Sequence, residues 1–69
     1  MIDKEIVRAV CKDEDFIKVI EYDMQMAIQE INVDWDTEKL YFFFKSGAQY
    51  EAPVSVIMDY LSQLKDKGH

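Results

Sequence analysis

The chain has 69 residues, of which 49% are hydrophobic and 13% aromatic, with two Gly, one Pro, one Cys and a formal net charge of −6. This length limits it to one small domain whose stability rests on a dense core or on oligomerisation, and the composition excludes a disordered or low-complexity chain. A lone cysteine excludes an intrachain disulfide framework, and no apolar run approaches a membrane span, so the expectation is a soluble cytoplasmic protein without a signal peptide.

Residues ~3–11 read as a helix, because Ile6, Val7, Val10 and Cys11 recur at a 3.6-residue spacing behind Asp3, a residue type that caps helices through its side-chain oxygen. Lys12, Asp13, Glu14 and Asp15 interrupt the apolar pattern. Acids here suit the start of a second helix, where free amides and the helix dipole favour negative charge. That helix is predicted over ~14–29. Phe16, Ile20, Met24 and Ala27 repeat every three to four residues, and Ile17, Val19, Met26 and Ile28 widen the apolar arc to about 200°. Glu14, Lys18, Glu21, Gln25 and Gln29 line the opposite side. Asp23 falls inside the apolar arc. Either it pairs, with Arg8 as the obvious partner, or the helix bends or ends near it, because an unpaired buried charge is strongly unfavourable.

From about residue 30 the period changes to two, and three short strands are predicted over ~30–35, ~39–45 and ~48–53. A three-residue loop at Lys45, Ser46 and Gly47 sets Phe44 opposite Ala48, Phe42 opposite Tyr50 and Leu40 opposite Ala52. A two-residue loop would mix the faces, and the longer one puts Gly47 where a left-handed residue is needed. The same logic makes residues 36–39 a four-residue loop, with Trp35 opposite Leu40 and Val33 opposite Phe42. The expected core face is Ile31, Val33, Trp35, Leu40, Phe42, Phe44, Ala48, Tyr50 and Ala52. Tyr41 and Phe43 project from the reverse face, beside Asn32, Asp34, Gln49 and Glu51.

Pro53 ends the third strand because it has no amide to donate. Ser55 is a cap for a last helix over ~55–66, with Val56, Ile57, Tyr60, Leu61 and Leu64 on one side. Lys65 and Lys67 stand near the C-terminal end of its dipole, and Lys67, Gly68 and His69 read as a frayed tail. The fold class is α+β: a small single domain in the order α-α-β-β-β-α, with a three-stranded antiparallel sheet packed against helices.

The charge is segregated. Nine acids and one base, Lys18, fall between Asp13 and Glu38, so this block carries −8 while the flanking segments each sum to +1. Eight dispersed basic residues argue against direct nucleic-acid binding, which rests on clustered Lys and Arg. The run Asp34, Asp36, Glu38 resembles the start of a calcium loop, but Lys39 and Lys45 stand where that loop requires Gly and Glu. Cys11 has no histidine within the folded segments to activate it and reads as a small core residue. Ser46, Ser55 and Ser62 have turn, cap and surface explanations. No phosphate loop, zinc spacing, nucleophile elbow or dinucleotide fingerprint occurs.

No catalytic residue, metal or cofactor is therefore expected. The sequence points to a non-enzymatic acidic protein-binding module that docks on a basic surface of a partner protein. By analogy of size and charge it is an inhibitor or nucleic-acid (DNA) mimic of the phage anti-defence type. The candidate partner-binding residues are Glu14, Glu21, Asp34, Asp36 and Glu38, with Tyr41 and Phe43 as apolar anchors. The alternative is a structural, homo-oligomeric module (a homodimer in its simplest form) that self-associates through the Tyr41/Phe43 face.

Overall fold

A computed structural model of the chain describes residues 3–67. The elements are α1 (Lys4–Cys11), α2 (Glu14–Met24), β1 (Ile28–Asp34), β2 (Lys39–Phe44), β3 (Gln49–Pro53) and α3 (Ser55–Lys67). The strands form one antiparallel sheet in the order β1-β2-β3, so β2 is central and both neighbours are edges. Expectations for Gly68 and His69, and for the side chains of Lys65 and Lys67, fall outside the described residues.

Both N-terminal helices begin on aspartate caps. Asp3 accepts from the Glu5 and Ile6 amides at 2.9 and 3.4 Å, and Asp13 accepts from the Asp15 amide at 3.1 Å. Each satisfies an amide that the helix itself leaves free. Behind the caps, α1 buries Val7 and Val10, and α2 buries Phe16 and Ile20. Ser55 is the first residue of α3 and not the residue ahead of it. That helix is entered through Val54, whose amide donates to the Glu38 carbonyl at 3.0 Å.

The end of α2 differs from the sequence expectation. The helix stops at Met24 instead of continuing to 29, because Gln25 adopts the left-handed conformation (φ 57°, ψ 38°) and its amide donates back to the Glu21 carbonyl. Met26 and Ile28, which extend the helical arc in the sequence, instead pack on the core from the turn and the first residue of β1. Asp23 is thereby resolved by the second of its two outcomes. It lies exposed one residue before the helix ends and makes no ion pair with Arg8. Val19 also departs from the expected arc, remaining 44% exposed.

The β2–β3 hairpin has the expected register, with Leu40 opposite Ala52 and Phe42 opposite Tyr50. Gly47 has φ 94°, and the Phe44 amide donates to the Ala48 carbonyl at 3.0 Å to close the loop. The β1–β2 hairpin is shifted by two residues from expectation. Val33 faces Leu40 and Ile31 faces Phe42, and the four-residue loop is 35–38, not 36–39. The 35–38 loop sets this register, which runs unbroken from Asp34 and Lys39 to Glu30 and Phe43. A bulge lies between Ile28 and Glu30, leaving Gln29 as the extra residue, and Glu38 adopts φ 53° before the ladder begins at Asp34 and Lys39. The bulge returns Ile28 to the core face, since without it Ile28 and Glu30 would share a side.

One contiguous core joins all three helices to one face of the sheet. Val7, Val10, Phe16, Ile20, Val54, Ile57 and Tyr60 meet Leu40, Phe42, Phe44 and Ala52. Phe42 is the hub, 6.4 Å from the Phe16 ring and 6.0 Å from Tyr50. Tyr50, expected in the core, is 44% exposed because it sits on an edge strand with only one neighbour. The shortest principal extent, 15 Å, is that of one helical layer on one sheet.

Two backbone positions test this account. Gly47→Ala meets no atom within 4 Å of the new Cβ, so its cost is conformational alone. It is expected to lose about 1–2 kcal/mol in urea unfolding. Gln25→Gly relieves a left-handed non-glycine cap at the expense of one exposed hydrogen bond, from Nε2 to the Tyr22 carbonyl. It is expected to gain a few tenths to about 1 kcal/mol. A neutral Gly47→Ala or a destabilising Gln25→Gly would contradict these backbone assignments.

Candidate functional site

The reverse face of the sheet is the surface that the core leaves over. Tyr41 and Phe43 stand on β2 between buried Leu40, Phe42 and Phe44, yet both remain partly exposed and neither belongs to the core cluster. Because α1 contributes Val7 and Val10 to that cluster, it lies with α2 and α3 on the opposite side and does not fold over these rings. Cross-strand pairing then fixes their neighbours: Tyr41 lies between Asn32 and Glu51, and Phe43 between Glu30 and Gln49. Two aromatics in a polar frame are a combination that marks contact surfaces more often than plain solvent-facing sheet.

The frame is mainly acidic. Glu30, Asp34 and Glu51 project on this side, with Lys39 as the base within the paired register. The Glu30 carboxylate accepts from the Asn32 side chain at 2.8 Å, which holds it against the sheet. Lys39 and Glu51 form an ion pair at 3.4 Å, with side chains 46% and 57% exposed. A pair this open contributes at most about 1 kcal/mol.

The seven residues singled out from the sequence do not form one patch. Tyr41, Phe43 and Asp34 share the open face, and Asp36 and Glu38 extend it at the 35–38 loop. Asp34 also has a local role, accepting from the Asp36 amide at 2.9 Å and so turning the hairpin. Glu14 is exposed in the first turn of α2, within the helical layer on the other side. Glu21, expected on the outer side of α2, is half-buried, and its carboxylate accepts from the Ile28 amide at 2.7 Å. It therefore ties the end of α2 to the start of β1. The ladder from Ile28 to Asp34 separates it from the hairpin acids by about 20 Å at 3.3 Å per residue. Sequence reasoning missed Glu30 as a member of the open face because it assigned the residue to no side. Its side follows from alternation with Ile31 in the unbroken ladder, opposite Phe43.

At the other end of the sheet from Glu21, Lys4 of α1 stacks over Trp35, its ammonium 5.3 Å from the ring centroid. Trp35 in turn packs on the core. This cation–π contact is worth about 0.5–1 kcal/mol and anchors the N-terminus of α1 beside the hairpin loop. Cys11 is half-buried, and burial raises its thiol pKa, which keeps it protonated and a poor nucleophile. Among the described residues no three metal-ligating side chains converge, and no helix is long and apolar enough to cross a membrane. Comparison with known proteins found no matching family, no matching curated protein and no matching solved structure.

The structural role of Glu21 is separable from its charge. Glu21→Ala is expected to cost about 1.5–3 kcal/mol in urea unfolding through the unpaired Ile28 amide. Glu14→Ala, at an exposed first-turn position, should cost less than about 1 kcal/mol. Equal effects from the two would contradict the anchoring role.

Proposed function

We propose that this chain is a non-enzymatic, acidic protein-binding module that docks on a basic surface of a partner through the open face of its sheet. The observation that carries this reading is the placement of Tyr41 and Phe43 outside the core, framed by Glu30, Asp34 and Glu51. In this reading the aromatics supply the desolvated centre of the contact, and the carboxylates steer the encounter and set its polarity. Asp36 and Glu38 extend the acidic rim beyond the hairpin. Inhibition by mimicry of nucleic-acid charge is one use for such a surface, and the finer role depends on which basic groove it fills.

Self-association through the same face is the competing use. A two-fold contact would set the acidic frame of one copy against that of the other, with Lys39 as the base within that frame of each. Like charges brought together across an interface cost several kcal/mol. A basic partner relieves that repulsion, which favours it as the occupant.

The test is capture from an extract of the source cells at low and high salt, with the wild type, a Tyr41→Ala/Phe43→Ala variant and a Glu30→Lys/Glu51→Lys variant. The reading predicts a partner of high isoelectric point, retained at low salt, weakened at high salt and lost with both variants. A partner retained equally by all three proteins at both salts would overturn it. A wild type that sediments as a concentration-dependent dimer, blocked by Tyr41→Ala/Phe43→Ala, would establish the competing use.

A further inference from the structure

The helical layer carries a second surface, independent of the sheet face. α2 and α3 touch through Phe16 and Tyr60, whose rings meet edge-on with centroids 5.0 Å apart at 70°. These rings form the floor of a groove of about 150 Å³ between the two helices. On the α2 side, Phe16, Val19, Ile20 and Asp23 follow an i, i+3, i+4, i+7 spacing, so one face of the helix makes the wall. The α3 wall has the same spacing, with Val56, Asp59 and Tyr60 followed by Gln63. Val19 is 44% exposed here, although a valine on this face of α2 belongs in a core.

The chemistry of the rim is one-sided. Each wall carries an exposed carboxylate, Asp23 on α2 and Asp59 on α3, and among the residues whose side chains are described no base lines the groove. Negative charge also reaches the floor. Burial raises the Tyr60 phenol pKa first, and Asp13 and Asp15 at the start of α2 raise it further. Two facing rows of helical side chains with an apolar trough between them accept the ridge of a third helix. The net charge of −6 disfavours a second copy of this chain as that helix.

We propose that the α2–α3 groove binds a basic amphipathic helix of a partner protein, seating an apolar side chain against Val19, Ile20 and Val56 while flanking Lys or Arg residues meet Asp23 and Asp59. Since the sheet face lies on the opposite side, the two surfaces can be occupied at once, and the chain can bridge two basic partners or two parts of one.

The probe is a synthetic helix of about 16 residues, long enough to hold helical structure, with Leu at i, i+3, i+4 and i+7 and Lys elsewhere. Its control has Glu in place of every Lys. Both are titrated into the full chain and followed by NMR shifts of backbone amides and methyl groups. Saturable shifts centred on Val19, Ile20 and Val56 with the Lys peptide, absent with the Glu peptide, are expected. Asp23→Asn combined with Asp59→Asn is expected to weaken binding at least tenfold. Both positions are exposed, so a well-dispersed spectrum of this variant separates lost binding from lost fold. Tyr41→Ala/Phe43→Ala should leave the affinity within twofold. Shifts centred on the sheet face, shifts scattered over every acidic residue, or unchanged affinity in the double Asn variant would each overturn the groove as a site. Because shift position distinguishes the two surfaces, failure here leaves the sheet-face reading to its own experiment.

Discussion

The rest of the structure depends on the two-residue alternation of β2. Leu40 and Phe42 are 0% exposed and Phe44 is 2%, while the residues between them point the other way. As the only strand with neighbours on both sides, β2 can bury three large side chains in succession. Every helix contributes to covering that one row: Val7 and Val10 from α1, Phe16 and Ile20 from α2, Ile57 and Tyr60 from α3. Burying residues of this size contributes about 1.5–3 kcal/mol each, which is how a chain too short for a large core still folds. The consequence is asymmetry. With all three helices committed to one face, Tyr41 and Phe43 are left on the other.

That asymmetry divides the acidic residues into two kinds. Asp3, Asp13, Glu21 and Asp34 accept hydrogen bonds from backbone amides at helix starts, at the start of β1 or at a turn. Their carboxylates satisfy amides that no regular ladder reaches, and for Asp13, Glu21 and Asp34 this local work accounts for part of the −8 block. Glu30, Glu51, Asp36 and Glu38 lie on or beside the open sheet face, while Asp23 and Asp59 rim the helical groove. The charge on one face is therefore much smaller than the sequence total, and it is divided between opposite sides. Each face presents a local frame of a few carboxylates around apolar side chains, not a uniformly acidic rod.

Much of the fold is legible in the sequence, and the exceptions share a physical cause. The β2–β3 hairpin reads correctly because Gly47 marks the one loop position that needs positive φ and because only one register keeps both faces consistent. The β1–β2 register slips by two residues since such a slip preserves every face, and alternation alone cannot detect it. The left-handed Glu38 in the loop that decides it, and the bulge at Gln29 beyond the regular pairs, use residues with no turn signature. The α2 terminus is missed for the same reason: Gln25 holds a conformation usually left to Gly or Asn. Glu21 looks like a surface acid because its role depends on the chain returning to place the Ile28 amide beside it. Asp23 carried the right warning, since an acid in an apolar arc is tolerated where the helix ends. Which face the first helix covers is absent from the pattern altogether, because amphipathic spacing says that a helix packs and not on which side of a sheet.

The most direct test of this one-sided architecture is the paramagnetic relaxation of aromatic ring protons in the presence of a neutral, soluble gadolinium chelate. The account predicts strong enhancement at Tyr41 and Phe43 and protection of Phe16, Phe42 and Phe44. Protection of Tyr41 and Phe43 equal to that of Phe42 in the monomer would mean that the second face of the sheet is covered, and would contradict it.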